Sequence, residues 1–195
     1  EDTGNKLFWS TGGKDKITEQ IIWDGRSLKG ETVQSATDYP YTFTVTDEVG
    51  QISVVKGYIP IDVLVIRDGD KLKIAVPSII FRKNAADFNE LEQNVVDRNI
   101  KVLTRIAEIL NKFPEYKVQV EGHANNTSGT EREEREDLIP LSGARADAVR
   151  RFLIEKGVAR GRLSSVGIGG TKPIASLSDR DNWWKNRRVE FILIK

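Results

Sequence analysis

The chain carries one histidine, His123, and no cysteine. A histidine acting as general base or metal ligand needs partners. With no second histidine and no thiol, neither zinc ligation nor histidine-based catalysis is expected. A serine nucleophile would have to be Ser142 or Ser128. Neither sits in a nucleophile elbow, and Ser142 reads better as a helix N-cap. Gly167-Ile-Gly-Gly170 follows a strand-like run but lacks the third spaced glycine and the long helix of a dinucleotide loop. No cofactor is therefore expected, and the chain reads as non-enzymatic. Three other groups could meet a ligand. Arg187 and Arg188 precede the last apolar run; one of them lines a site, or they pair with Glu190 or another acid. Trp183-Trp184 is a stacking platform, or one buried ring and one lying across the surface. Glu131 to Asp137 is most simply a solvated, partly helical insertion with internal charge pairs.

The totals narrow the classes further. A chain of 195 residues holds one large or two small domains. Its apolar fraction of 38% is spread evenly enough for real cores. A net charge of +1 gives no field that would steer it to nucleic acid. No apolar run approaches the ~20 residues needed to span a bilayer, so this piece is expected to be soluble. It opens on Glu1 and contains no methionine, as expected of a processed form or an excised fragment.

Two styles of sequence follow one another. Residues 1–60 read as β structure. Tyr41, Phe43 and Val45 alternate with threonines, the period of a half-buried strand. Asp47 to Gly50 is a turn, and Gln51 to Val55 begins the next strand. Leu7–Trp9 and Ile21–Trp23 are shorter strand candidates, giving three to five strands of a partial sandwich. From Ile61 the pattern changes. Ile61–Ile66 and Leu72–Val76 flank Asp68-Gly69, a hairpin signal. A helix follows with Asn94 or Asp97 as N-cap and Ile100, Leu103, Ile106, Ala107 and Leu110 on one face. Tyr116, Val118 and Val120 mark a strand. A second helix starts near Ser142 and ends before Gly157, its apolar face Ala148, Val149, Phe152 and Leu153. Strands at Leu163–Val166 and Val189–Ile194 complete an α/β sandwich with helices on one side of a mixed sheet.

Four segments in order carry a resemblance: Val118-Gln-Val-Glu-Gly-His-Ala-Asn125, Leu141-Ser-Gly-Ala-Arg-Ala146 with Val149, Gly167-Ile-Gly169 with Pro173, and Asn186-Arg-Arg-Val-Glu190. They resemble the GHTD, LSxxRAxxV, GxG…P and NRRVE signatures of OmpA-like domains, over residues 68–195. The division expected is a β-rich, loosely Ig-like unit at 1–60 and an OmpA-like domain at 61–195. The Ig likeness rests on Trp23 to Arg26, Gly30, Tyr39 to Tyr41, Val45 to Asp47 and Gly50, and resembles repeats of bacterial surface and hook-cap proteins. The OmpA-like resemblance implies a non-enzymatic envelope protein, periplasmic and outer-membrane associated, that tethers to the peptide stem of peptidoglycan. Its N-terminal unit would act as spacer or as a surface for other envelope proteins.

In that family a loop aspartate takes the ammonium of the stem's diamino acid and a helix arginine takes its carboxylate. One anion and one cation at fixed separation suit a zwitterion. The resemblance puts the arginine at Arg145 and the loop positions at Ala124 and Asn125, with Leu141 and Arg188 beside them. Asn125 is not the family's aspartate, and Leu138 stands where an asparagine is common. The link from Asn126 to Pro140 is about five residues longer than the usual pattern. Losing the loop charge is expected to weaken an ammonium contact by about 1–3 kcal/mol, roughly ten- to a hundredfold. Three outcomes stay open: an acid of the insertion substitutes, the ligand differs, or the protein is a scaffold that no longer binds the wall.

Overall fold

A computed structural model describes residues 7–14, 20–62, 65–74, 76, 79–82, 84–88 and 91–195, without the side chains of Asp68 and Trp184. Two sheets organise them. Strands β1 (Thr37–Thr46) and β2 (Ile52–Ile61) form a two-stranded antiparallel ribbon, with Thr37 opposite Ile61 and Thr46 opposite Ile52. Strands β3 (Val65–Asp68), β4 (Lys71–Ile74), β5 (Lys117–His123), β6 (Leu163–Gly169) and β7 (Val189–Ile194) form a mixed sheet in the order β3-β4-β7-β5-β6. Only β5 and β6 run parallel, and the helix between them makes their crossover.

Two of the short strands expected in the N-terminal unit are absent among the described residues. Leu7–Trp9 and Ile21–Trp23 are irregular, and a single bridge, Arg26 to Thr32, stands beside the two long strands among the described residues. Tyr41, Phe43 and Val45 do alternate, yet all are exposed, because among the described residues no second layer packs on the outer half of the ribbon. The unit's own core is a small aromatic knot: Phe8, Val33 and Tyr39, with Trp9, Trp23 and Ile61 against them. Phe8 meets Trp23 edge-on, with ring centroids 5.9 Å apart. Ion pairs dock the ribbon's base on the rest of the molecule: Arg105 reaches Asp38 and Asp62, and Lys101 reaches Asp38.

The β3–β4 hairpin lies where expected but is shifted by one residue. Asp68 pairs with Lys71, so Gly69-Asp70 is the turn, and Gly69 supplies the positive φ of 58°. Strand β4 covers Lys71–Ile74; of the expected strand over Leu72–Val76, residue 75 lies outside the described ones and Val76 has no strand structure, nor has Ile79–Phe81. Of the expected strand over Ile61–Ile66, residues 63 and 64 lie outside the described ones.

Helix α1 spans Gln93–Lys112. Its N-cap is Glu92, without a side-chain capping bond; Asn94 and Asp97 lie inside the helix. Leu103, Ile106, Ala107 and Leu110 are buried as their spacing predicts, whereas Ile100 faces outward and Val102 and Ile109 complete the face. Buried Asn99 clips the preceding segment to the helix. Its amide donates to the Ile80 carbonyl at 2.7 Å, and its oxygen accepts from the Ile80 N–H at 3.1 Å.

The acidic insertion is helical throughout. Thr130 caps a single α-turn, α2 (Glu131–Glu133), then a π-turn covers Glu134–Leu138, and helix α3 covers Ile139–Glu155. Ser142 is therefore inside a helix rather than at its N-cap. Pro140 has no N–H, so it cannot continue the α ladder behind it, and the Ile139 N–H bonds to the Glu134 carbonyl instead. Ser142, Arg145, Ala146, Val149 and Leu153 form the buried stripe, with Phe152 half-buried. No helix of the described residues is long and apolar enough to cross a membrane.

Candidate functional site

The sheet and α3 approach each other more closely than side chains permit, and glycines make this possible. A Cβ on Gly122 of β5 would lie 2.0 Å from the Ser142 carbonyl oxygen. One on Gly167 of β6 would lie 2.2 Å from the Ile139 carbonyl oxygen. The helix start is thus pressed on the strand ends. Hydrogen bonds fix it there. The Gly169 N–H donates to Ser142 Oγ at 3.0 Å, and Ser142 Oγ donates to the Ile139 carbonyl at 3.1 Å. Ala124, 4% exposed, donates its N–H to the Gly169 carbonyl at 2.7 Å. His123 N–H donates to the Arg188 carbonyl at 2.9 Å. The segments that looked distinct in sequence therefore converge on one rim: the end of β5, the end of β6, the first turns of α3 and the approach to β7.

Arg145 is buried at this rim, 7% exposed. Its Nε donates to the Ala85 carbonyl at 2.9 Å and its Nη2 to the Arg82 carbonyl at 3.1 Å. The guanidinium also lies over the Phe81 ring, 5.2 Å from its centroid. These contacts orient the fork and leave Nη1 as the donor not used by the two carbonyl bonds. Burial, and then the neighbouring Arg187 charge, lower the Arg145 pKa below its ordinary value. Arg187 is itself exposed. It is the residue that brings a second cation to Arg145.

Arg188, expected beside Arg145, serves the other face. Its Nε donates to Glu190 Oε1 at 2.7 Å, and both Nη atoms lie 3.2 Å from the Lys172 carbonyl. The structural ion pair weighed for this residue is the one present. Leu141 is half-buried in the first turn of α3.

Asn125 is held rather than free. Its Oδ1 accepts from Asn186 Nδ2 at 2.8 Å, and the fully buried Asn186 accepts in turn from the N–H groups of Ile174 and Ala175. Asn126 contacts the insertion: its Nδ2 donates to Glu134 Oε2 at 2.9 Å. Glu134 Oε1 accepts from the Gly170 N–H at 2.7 Å. Of the acidic run, Glu134 is thus the carboxylate that reaches the rim. The run is charged throughout, and no periodicity or motif in the sequence singles out this position. Arg187 was readable: it shares the parity of Val189 and Phe191, which face the helices, whereas Arg188 shares that of Glu190.

His123 lies on the opposite face from α3 and is 1% exposed, with Nε2 3.8 Å from both Glu121 and Glu190. The three groups stand at metal-ligand spacing. Glu190, however, is already paired with Lys73 at 2.8 Å and Arg188 at 2.7 Å, which balances its charge. Burial, then the Arg188 charge, push the His123 pKa down to about 4, against the opposing pull of Glu190. Trp183 donates its indole N–H to the Leu177 carbonyl and carries Arg180 over its ring, the mark of a local brace.

This combination defines a class: a mixed sheet backed by helices, with glycine-lined contacts and a buried arginine in the second turn of α3. Comparison with known proteins places it further. The chain belongs to the OmpA family, whose model matches residues 80–187. A peptidoglycan-associated lipoprotein of Mesorhizobium japonicum is 42% identical over 87 residues, 45% of this chain and 49% of that protein. The peptidoglycan-binding protein ArfA of Mycobacterium tuberculosis is 35% identical over 101 residues, 51% of this chain and 29% of that protein. This chain thus spans half or less of the length of both relatives. The periplasmic domain of Helicobacter pylori MotB superposes with a TM-score of 0.53 and 26% identity, covering 67% of this chain and 86% of that domain.

Proposed function

We propose that this chain is a non-enzymatic envelope module that docks without covalent chemistry on the peptide stem of peptidoglycan. It works in the periplasm, associated with the outer membrane. Residues 61–195 bind the wall, and residues 1–60 act as a spacer or as a surface for other envelope proteins. The observation that carries the reading is Arg145, a cation in the second turn of α3 fixed by two backbone carbonyls and joined there by exposed Arg187. A guanidinium held at Nε and Nη2 presents its remaining edge to a carboxylate in one orientation. The burial of the lone histidine on the far face supports a binding rather than a catalytic reading.

Co-sedimentation with purified peptidoglycan tests it. The chain pellets with the wall, and Arg187→Ala reduces pelleting while its melting temperature is unchanged. Absence of pelleting at micromolar protein favours a second reading, a protein-interaction scaffold on an OmpA-like fold. One observation supports that alternative: the Asn125 side-chain oxygen is already engaged by Asn186.

A further inference from the structure

The rim has two cations and, at the loop, a neutral asparagine. A zwitterionic ligand needs an anion as well, and Asn125 offers only a neutral amide oxygen, one lone pair of which accepts from Asn186. A carboxylate of the insertion is bonded to this loop. Glu134 is bonded to the side chain of Asn126, the residue after Asn125, and to the backbone of Gly170 at the end of β6. Each bond takes one lone-pair site on a different oxygen, and a carboxylate has about four such sites. Its two oxygens are therefore oriented, and each retains acceptor capacity. Glu134 is only partly buried, so a ligand group can reach it.

The backbone is arranged around this contact. A Cβ on Gly169 would lie 1.7 Å from Glu134 Oε1, and one on Gly170 would meet Asn126 at 2.5 Å with Glu134 Oε2 at 3.0 Å. Gly169 thus leaves the space the carboxylate fills, and Gly170 the space of the Asn126 that bonds it. The π-turn at Glu134–Leu138 adds a residue to the helix at this point, and such turns are frequent at functional sites. Thr130, as N-cap, fixes the start of the insertion.

We infer that Glu134 is the anionic pole of the binding site, taking the ammonium of the stem's diamino acid in place of a loop aspartate. The negative charge has moved from the strand end to the insertion, and the added residues are what bring it back to the same rim. The inference rests on the peptidoglycan reading given above and assigns that site a further specificity-determining residue.

The test is a coupling between one protein charge and one ligand charge. Affinities are measured by calorimetry for a soluble muropeptide carrying diaminopimelate and for the same muropeptide carrying 2-aminopimelate, which lacks the side-chain ammonium. The wild-type chain prefers the first by about tenfold to a hundredfold. In Glu134→Gln the preference falls towards one. In the double variant Asn125→Asp/Glu134→Gln it returns, because the charge is restored at the loop. A ratio rather than an absolute affinity is read, so a general loosening of the insertion does not imitate the result. A preference that persists unchanged in Glu134→Gln overturns the assignment while leaving the docking reading intact. Failure of the wild-type chain to bind either muropeptide overturns both.

Discussion

Arg187 and Arg188 are neighbours in the chain but serve opposite faces of the sheet. Strand alternation sends Arg187 towards the helix side and Arg145, and Arg188 towards Glu190. Their substitutions should therefore separate. Arg187→Ala should weaken muropeptide binding about tenfold with stability within ~0.5 kcal/mol of the parent, since an exposed side chain is lost. Arg188→Ala should do the reverse. It strands Glu190 beside His123 with Lys73 as its remaining cation, so the urea midpoint falls while affinity changes little. Equal effects of both variants on binding would contradict the two-faced assignment. At Arg145 even Lys is not conservative, because one ammonium cannot reproduce a fork that spans the Arg82 and Ala85 carbonyls and still presents an edge outward. Arg145→Lys should lose most of the affinity measured by the same titration.

The elements explain why glycine and serine recur in the motifs. Gly122 and Gly167 are not turn residues. They sit on strands where carbonyls of α3 occupy the place of a side chain. Gly122→Ala or Gly167→Ala should cost more than about 2 kcal/mol, because the obstacle is backbone rather than a flexible side-chain end. Gly161→Ala, with nothing within 4 Å of the added atom, is the control and should be near neutral. Thermal melting checks all three. The strands, both long helices and their order were legible because their apolar periods are regular. Helix boundaries were not. Ser142 looked like an N-cap because Ser, Asp and Asn favour that position, but its hydroxyl is used against Gly169, and the helix runs on into the acidic insertion. That insertion has a charged, aperiodic sequence, so neither its π-turn nor the choice of Glu134 over its neighbours could be read before the fold placed Gly170 opposite it.

At the scale of the molecule, the N-terminal ribbon and the larger domain are tied by charge and by core. Ala36, at the head of the ribbon, belongs to the main hydrophobic cluster, and Arg105 of α1 bridges Asp38 and Asp62. The alternation in Tyr41 to Val45 was legible, but its burial was not, since a period of two says nothing about whether a second layer exists. Stability of the whole should depend on pH through the buried cluster behind β5. His123 faces Glu121 and Glu190, with Arg188, Lys172 and Lys73 around it. Folding holds its pKa at about 4 against an ordinary 6.5, so between those values the unfolded chain binds a proton that the folded chain refuses. Stability is therefore full above pH 6.5 and declines as pH falls towards 4. Glu190, held at about 2 against 4.5 despite its own burial, chiefly by Lys73 and Arg188, extends the loss below pH 4.5. Urea midpoints across this range should fall steadily, and His123→Asn should flatten the upper part of the curve. A midpoint that is level from pH 7 to pH 4.5 would contradict the linkage.

The ends of β5 and β6, the start of α3 and the approach to β7 form a single rim, and that rim is what we propose takes the peptide stem. Titrating the 15N-labelled chain with the diaminopimelate muropeptide examines this directly. The predicted result is a saturable set of shifts at Asn125, Asn126, Gly169, Gly170, Arg187 and the first turns of α3, with the ribbon of β1 and β2 undisturbed. Shifts confined to the ribbon or to the face around His123, or no shifts at millimolar ligand, would contradict it.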